Sequence, residues 1–549
     1  MKKERFHVIL VKPSKYDDDG YVIRWWRAVV TSNSLACLVT LTEDAQRKKV
    51  LGEDVELVLH VYDETVEAVP VRRLCRGILK AGERGVAGLV GVQSNQFPRA
   101  VDLARDFIQE GVPAMIGGFH VSGTMAMLPE LRAELEAAAG GATLVAGEVE
   151  EKWGEILKDA YEGRLSKAYN FLEKKPGLQG VPAPRMPRRY LRRFIATQSS
   201  FDAGRGCPFR CSFCTIINVQ GNKMRWRTAE DIEKVVRENH EQGITHFFIT
   251  DDNFSRNPAW ESIADRLIHL KEKEGLRSSL MLQADTMAHK IPGFIEKMTR
   301  AGCRRVFIGM ESVNPENLAA CGKSQNKLTE YRKMLLAWRD HGAITCAGYI
   351  IGFPGDTYES VMRDVEFLKR ELPLDLAEFF ILTPFPGSED HQRMTRQGVT
   401  MDRDLSRFDA SHPVLDHPRM SREEWMRVYH DAWRSFYSRE HCLTLMKRRK
   451  GPRRRLVFSS LLWFRSAFFL TGVHPLLGGY FRVRERKSRR SELPREPFVS
   501  FWAKTLFAFL RYGYGMIKLL LELWLLDREA KRPEHVDYTD PAVQREGCC

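Results

Sequence analysis

The sequence predicts an α/β chain in two main parts: an N-terminal doubly wound, Rossmann-like sheet, then a partial (β/α)6 barrel, followed by a helical C-terminal extension. Three observations predict it. Short apolar, β-rich runs alternate with helix-like stretches in two separate series. A Pro-, Lys- and Arg-rich stretch without any period lies between them. A loop rich in thiols follows the first strand of the second series.

In the first segment, 1–165, the runs are FHVILV from Phe6, VELVLHV from Val55, AGLVGV from Ala87, PAMIGG from Pro113 and ATLVAG from Ala142. Ligands of such sheets sit beyond the carboxyl ends of the strands. The residues expected there are Lys12 and Pro13, Gln93 to Asn95, Gly117 to His120, and Gly147 with Glu148. The stretch 166–195, including PGLQGVPAPRMPRRYLRR, reads as a linker. Across 196–392 strands are expected near Ser199, His246, Ser279, Arg305, Thr345 and Glu378, with helices such as TAEDIEKVVRENHEQG between them. Six sequential βα units curve into an open barrel whose chemistry lies at the C-terminal rim. Residues 393–446 are polar and helical, with MSREEWMRVYHDAWRSFYSREH presenting one apolar face. Residues 447–549 mix basic runs with apolar stretches.

With 549 residues, 43% hydrophobic and 28% charged, the chain has material for several full-sized cores, which excludes a disordered or collagenous protein. No uninterrupted apolar run reaches bilayer-spanning length. The N-terminal MKKERFHVILVKP turns polar at Lys12 and reads as a strand rather than a signal peptide, so a cytoplasmic chain is expected. In that compartment the eleven cysteines are not expected to form disulfides. The net charge of +14 is local: fourteen Lys and Arg fall between Lys447 and Arg490 against the single acid Glu485. The bulk of the chain is nearly neutral, which argues against a nucleic-acid partner.

GRGCPFRCSFC places Cys207, Cys211 and Cys214 at Cys-x3-Cys-x2-Cys spacing on a loop opened by Gly204, Gly206 and Pro208. A loop can wrap three thiolates around one centre, and soft thiolates select zinc or an iron–sulfur cluster. Structural zinc wants a fourth ligand, for which only distant residues such as Cys303 or His246 offer themselves. A cubane held by three cysteines leaves one iron open to a small molecule.

This pattern resembles the radical S-adenosylmethionine (SAM) superfamily. The resemblance implies a [4Fe–4S] cluster on the three cysteines, with the amino and carboxyl groups of SAM on the fourth iron. Phe213 occupies the aromatic place before the third cysteine. TDDNF supplies Asp251, Asp252 and Asn253 where the family binds the SAM amino group. GMES supplies Glu311 and Ser312, and GYIIGFPG supplies Gly348, Gly352 and Gly355 as the adenine-side glycines. The implied chemistry is one-electron cleavage of SAM to a deoxyadenosyl radical, with an electron donor such as flavodoxin or ferredoxin. No catalytic triad is expected. Each motif also has a plainer reading: Asp251 and Asp252 could cap a helix, Glu311 could pair at the rim, and the glycines could serve turns.

The first segment resembles the cobalamin-binding module of class B radical SAM enzymes, with Gly117, Gly118, His120 and Ser122 in GGFHVSG and Gly147 and Glu148 in VAGEVE at the family's loop positions. The Asp-x-His-x-x-Gly signature that supplies a cobalt ligand elsewhere is absent, and His120 is the candidate substitute. The architecture looks closest to the branch with the hopanoid methylases and the anaerobic magnesium-protoporphyrin ester cyclase. That kinship implies radical C-methylation of a small hydrophobic intermediate, or a non-methylating oxidation or cyclisation. A tRNA methylthiotransferase lacks support, because the first segment has no additional cysteine trio and the chain does not end in an RNA-binding barrel. An inactive scaffold fits poorly with three retained cluster ligands.

In FWAKTLFAFLRYGYGMIKLLLELWLL the cations Lys504, Arg511 and Lys518 recur every seven residues, one polar stripe on an apolar helix. Two readings follow: peripheral attachment to an anionic membrane, or a helix packed on the barrel with its stripe in solvent. Cys548 and Cys549 do not form a prenylation signal and read as ordinary thiols.

Overall fold

A computed structural model describes residues 3–195, 198–323, 325–532 and 540–543; Cys548 and Cys549 lie outside the described residues. Two six-stranded sheets, parallel throughout, organise the chain. The first has the spatial order Val55–Asp63, Glu4–Lys12, Arg84–Leu89, Ala114–Gly117, Thr143–Ala146, Ala168–Asn170. Glu4–Lys12 has a parallel partner on each side, which places the crevice of a doubly wound sheet beyond its carboxyl end. Five of the strands stand where the apolar runs predict them. The sixth, Ala168–Asn170, lies in the stretch read as linker: three residues hydrogen-bonded to Leu144–Ala146 are too short to show a period.

The first sheet is buried on both faces, and for that reason its central strand reads as a continuous apolar run rather than an alternation. Ile9, Val11, Ala87, Leu89 and Ile116 pack under the helices Val71–Lys80 and Phe97–Gln109. Val8, Leu10, Val86, Met115 and Val145 face the other way, into a core continuous with that of the second sheet.

The second sheet is sequential: Gln198–Phe201, His246–Ile249, Ser279–Ala284, Cys303–Glu311, Ile344–Ile351 and Leu376–Ile381. Helices return between the strands, and capping boxes start two of them, Thr228 with Asp231 and Thr357 with Ser360. Cys303 and His246 stand at the amino ends of their strands, opposite the rim that carries the thiol loop, so neither completes a zinc site with it.

The C-terminal extension adds the helices Arg422–Phe436, Arg439–Lys447, Gly451–Arg465 and Phe498–Glu529. It also returns to the start of the chain, where Gly479–Arg482 pairs antiparallel with Trp25–Ala28. The basic stretch is mostly consumed by structure. Arg448 and Asp540, Arg449 and Asp375, Arg465 and Glu522, and Arg482 and Arg484 with Asp17 all form ion pairs.

Inside the barrel, Glu378 is 3% exposed, and its Oε1 accepts a hydrogen bond from the Cys346 thiol at 3.4 Å. Its Oε2 has no hydrogen-bond partner and lies 3.9 Å from Nε2 of the buried His474. Burial pushes the Glu378 carboxyl up to about 7 from an ordinary 4.5. A raised carboxyl favours the folded state while protonated, and that advantage is lost as pH rises from about 4.5 through 7. Glu378→Gln should therefore match the parent protein near pH 4.5 and exceed its stability by about 3 kcal/mol near pH 8, measured by denaturant titration at the two pH values.

Candidate active site

Arg205, two residues before Cys207, is 8% exposed and binds acids from three places. Its guanidinium meets Asp202 at 3.1 Å, Glu148 at 2.7 Å and Glu150. It also donates to the Cys37 sulfur at 3.5 Å. Arg225 binds Glu148 from the other side, and Arg227 reaches Asp202 at 3.3 Å. The adjacent cations hold the Glu148 and Asp202 carboxyls below the ordinary range, against the opposing effect of burial. The loop that leaves the first sheet at Gly147 is thereby fastened to the strand that leads into the thiols.

The thiol loop is anchored along its length. Gly204–Arg205 pairs with Arg225–Trp226, and the Cys207 amide donates to Gly221 O at 3.2 Å. Ser212 N–H donates to Cys321 O at 3.1 Å, and Ser212 Oγ donates to Asp390 at 3.0 Å. Phe213 packs with Cys321, Ile350 and Phe353. Among the described residues no three His, Cys, Asp or Glu side chains converge on a single ion. The three thiols lie near enough to act on one another electrostatically, and a cubane takes three thiolates at separate corners. Burial pushes the thiols of Cys207 up to about 11 and of Cys214 up to about 12, so cluster assembly must release protons.

The acidic motif resolves into distinct parts. Asp251 Oδ1 accepts the Ala203 amide at 2.7 Å and Oδ2 accepts Asn257 Nδ2 at 3.0 Å, so this carboxylate pins the entry to the thiol loop. Asn253 donates to Asp285 at 3.0 Å and accepts Ser255 Oγ–H at 2.6 Å. Asp252 makes no hydrogen bond to another described side chain and lies beside Cys207 and Cys214; burial, reinforced by Asp251, pushes it up to about 7. On the fourth strand Glu311 has φ 65°, a strained conformation for a residue with a side chain, at a break in strand register. It pairs with Lys323, whose Nζ donates to Gly309 O at 3.1 Å and lies near Cys211 and Cys214.

Other expected contacts are occupied elsewhere. Ser312 is fully buried and accepts the Asn314 amide at 3.0 Å. Gly352, at φ 110°, gives its side-chain space to the Trp425 indole, which an added Cβ would meet at 2.0 Å. Gly355 stands beside Asn317. Of these glycines Gly348 faces the barrel interior, where a Cβ would come within 2.8 Å of the Phe307 ring. Lys323 and Arg205 are the functional candidates that the sequence did not single out. Arg205 had one visible signal, a cation between two glycines at the head of the thiol motif; Lys323 had none.

At the carboxyl end of the first sheet lies a cavity that is partly open to solvent. Gly88 to Gly91, Gly117 to Phe119 and Gly147 to Glu150 line it from the sheet, and Arg205, Val219 and Gln220 from the thiol-loop side. Gly118 has φ 147°, and a Cβ there would strike the Val92 backbone at 2.1 Å. Ser122 Oγ accepts the Gly147 amide at 3.0 Å. His120 does not line the cavity. Its Nδ1 is 3.2 Å from Ser94 Oγ and its ring lies against Phe97, and burial lowers it to about 3, so its expected place facing the ligand is corrected.

Two substitutions test the anchoring. Arg205→Ala leaves three buried acids short of a cation and should cost about 3–5 kcal/mol, read as a lower melting temperature together with reduced iron after anaerobic reconstitution. Asp251→Ala orphans the Ala203 amide and should cost about 1–3 kcal/mol, with the same two readouts.

Comparison with known proteins agrees with this geometry. Residues 203–368 match the radical SAM superfamily model. Bacteriochlorophyllide d C-8(2)-methyltransferase of Chlorobaculum tepidum is 27% identical over 348 residues, 60% of this chain and 73% of that protein. Among solved structures, TsrM from Kitasatospora setae, a radical SAM methyltransferase with cobalamin and a [4Fe–4S] cluster bound, aligns with TM-score 0.54 and 20% identity over 77% of this chain and 85% of its own. The cobalamin-dependent radical SAM enzyme OxsB aligns with TM-score 0.54 and 14% identity over 99% of this chain and 83% of its own. The matched superfamily domain encloses an anchored three-thiol loop at the rim of a parallel barrel, so residues 203–368 form a radical SAM domain, which implies a [4Fe–4S] cluster and SAM as cofactors.

Proposed function

We propose that the protein is a cobalamin-dependent radical SAM methyltransferase acting on an unactivated carbon of a small hydrophobic biosynthetic intermediate. The observation that carries this reading is the glycine-floored cavity whose far wall is built by Arg205, Val219 and Gln220 around the thiol loop. A flat cofactor there would share a wall with the cluster site. When bound, the cluster supplies the electron that cleaves SAM to a deoxyadenosyl radical, and cobalamin carries the methyl group. The methyltransferase relative that acts on a chlorophyll-type macrocycle supports a hydrophobic substrate.

In this reading Cys207, Cys211 and Cys214 hold the cluster. Asp252 accepts the SAM amino group, Lys323 meets its carboxylate once drawn from Glu311, and Gly348 lies on the adenine side, against the Phe307 ring. Gly117, Gly118, Ser122, Gly147 and Glu148 form the corrinoid floor. The lining of this cavity contains no histidine among the described residues. The units 1–165, 196–392 and 393–446 then serve as cofactor module, catalytic barrel and closure, with 166–195 connecting the first two. A flavodoxin- or ferredoxin-type donor completes the system.

Anaerobic reconstitution with hydroxocobalamin and methyl-labelled SAM tests the proposal. The expected result is retained corrinoid, label in the product, and no deoxyadenosine from Cys211→Ala. Deoxyadenosine without retained corrinoid, or substrate oxidised without label, would replace methylation with oxidation or cyclisation. Asp252→Ala should raise the KM for SAM about 10- to 100-fold with iron content unchanged, the loss expected for one charge-assisted hydrogen bond.

A further inference from the structure

The helix Phe498–Glu529 runs 32 residues, about 48 Å at 1.5 Å per residue. It rests on the body through a narrow stripe of Phe501, Tyr512, Leu519, Leu523 and Leu526. The opposite side is apolar and exposed: Val499 is 78% accessible, Phe507 68% and Tyr514 71%. Among the described residues, thirteen of the twenty large apolar side chains left exposed belong to this one helix. The patch continues onto the terminal strand pair, where Phe509 meets Phe481 at 5.7 Å and Phe481 meets Trp26 at 6.1 Å. A monomer rarely leaves so long a contiguous apolar face to water.

Charge decides what covers it. The acids of this helix are neutralised within the chain: Glu522 by Arg465, Asp527 by Lys531 and Glu529 by Arg439. Arg511 and Lys518, one heptad apart along a single edge of the exposed face, have no acidic partner among the described residues, while Lys504 on the same edge binds Glu496 at 2.6 Å. A second copy of the chain would bring the same unneutralised cations to the contact. An anionic headgroup layer would neutralise them, and Trp502, Tyr514 and Trp524 have the amphipathic rings that settle at such a layer. No helix among the described residues is long and apolar enough to cross a membrane. We propose that Phe498–Glu529 lies flat in an anionic membrane interface, its outer apolar face in the acyl boundary and its Arg511–Lys518 edge at the headgroups. This goes beyond the proposed chemistry and does not depend on it.

Flotation of the full-length reconstituted enzyme with phosphatidylcholine vesicles, with and without phosphatidylglycerol, tests the assignment without measuring turnover. The protein should float with the anionic vesicles. Arg511→Glu with Lys518→Glu should weaken partitioning at least fivefold per lost cation, and Leu510→Glu with Ile517→Glu should reduce it to background. All four positions are exposed, and unchanged iron content checks that the variants fold. Protein that stays at the bottom with every vesicle overturns the proposal. So does an anionic-lipid-independent dimer, seen by sedimentation, that Leu510→Glu with Ile517→Glu dissolves.

Discussion

Arg205 carries a buried positive charge that only its three carboxylates make tolerable, and the placement of both cofactor regions depends on that balance. An isolated guanidinium at this depth would be expelled by its desolvation cost. Asp202 ends the first barrel strand, while Glu148 and Glu150 belong to the loop beyond the fifth strand of the first sheet. Satisfying one cation therefore brings two sheets to a fixed separation. Arg225 and Arg227 complete the alternation of sign, so neither set of like charges is left facing itself. The thiol loop begins two residues later and inherits that position.

From this anchor the division of labour among neighbouring acids follows. Asp251 and Asp252 are adjacent in the turn that follows the strand His246–Ile249. Asp251 takes the backbone role because the Ala203 amide and Asn257 offer it donors. Asp252 lies beside the thiols, with no side-chain donor among the described residues. Glu311 and Lys323 neutralise one another across the same space, which keeps that part of the interior free of net charge.

What could be read from sequence divides by range. The strands were legible because apolar runs are local, and the three cysteines because their spacing is confined to eight residues. Orientation was less legible: Asp251 differs from Asp252 by turning to the Ala203 amide and Asn257, and His120 turns toward Ser94 and Phe97. Partners distant in sequence were not legible at all. Arg205 meets acids 55 and 57 residues away, and Arg482 meets Asp17 across 465. A charge count likewise records cations without their partners.

Those long-range pairs also give the last helix its significance. Gly479–Arg482 adds to the strand Trp25–Ala28, Tyr21 donates to Glu496 at 2.9 Å, and Arg24 binds Glu485 at 3.0 Å. The segment leading into Phe498 is thereby fastened to the first unit, and Glu529 at the far end is held by Arg439 of the extension. A helix fixed at both ends cannot roll to bury its broad face, although doing so would remove far more apolar surface from water than the narrow stripe does. The fold holds that face outward against the hydrophobic effect, and none of the described residues covers it.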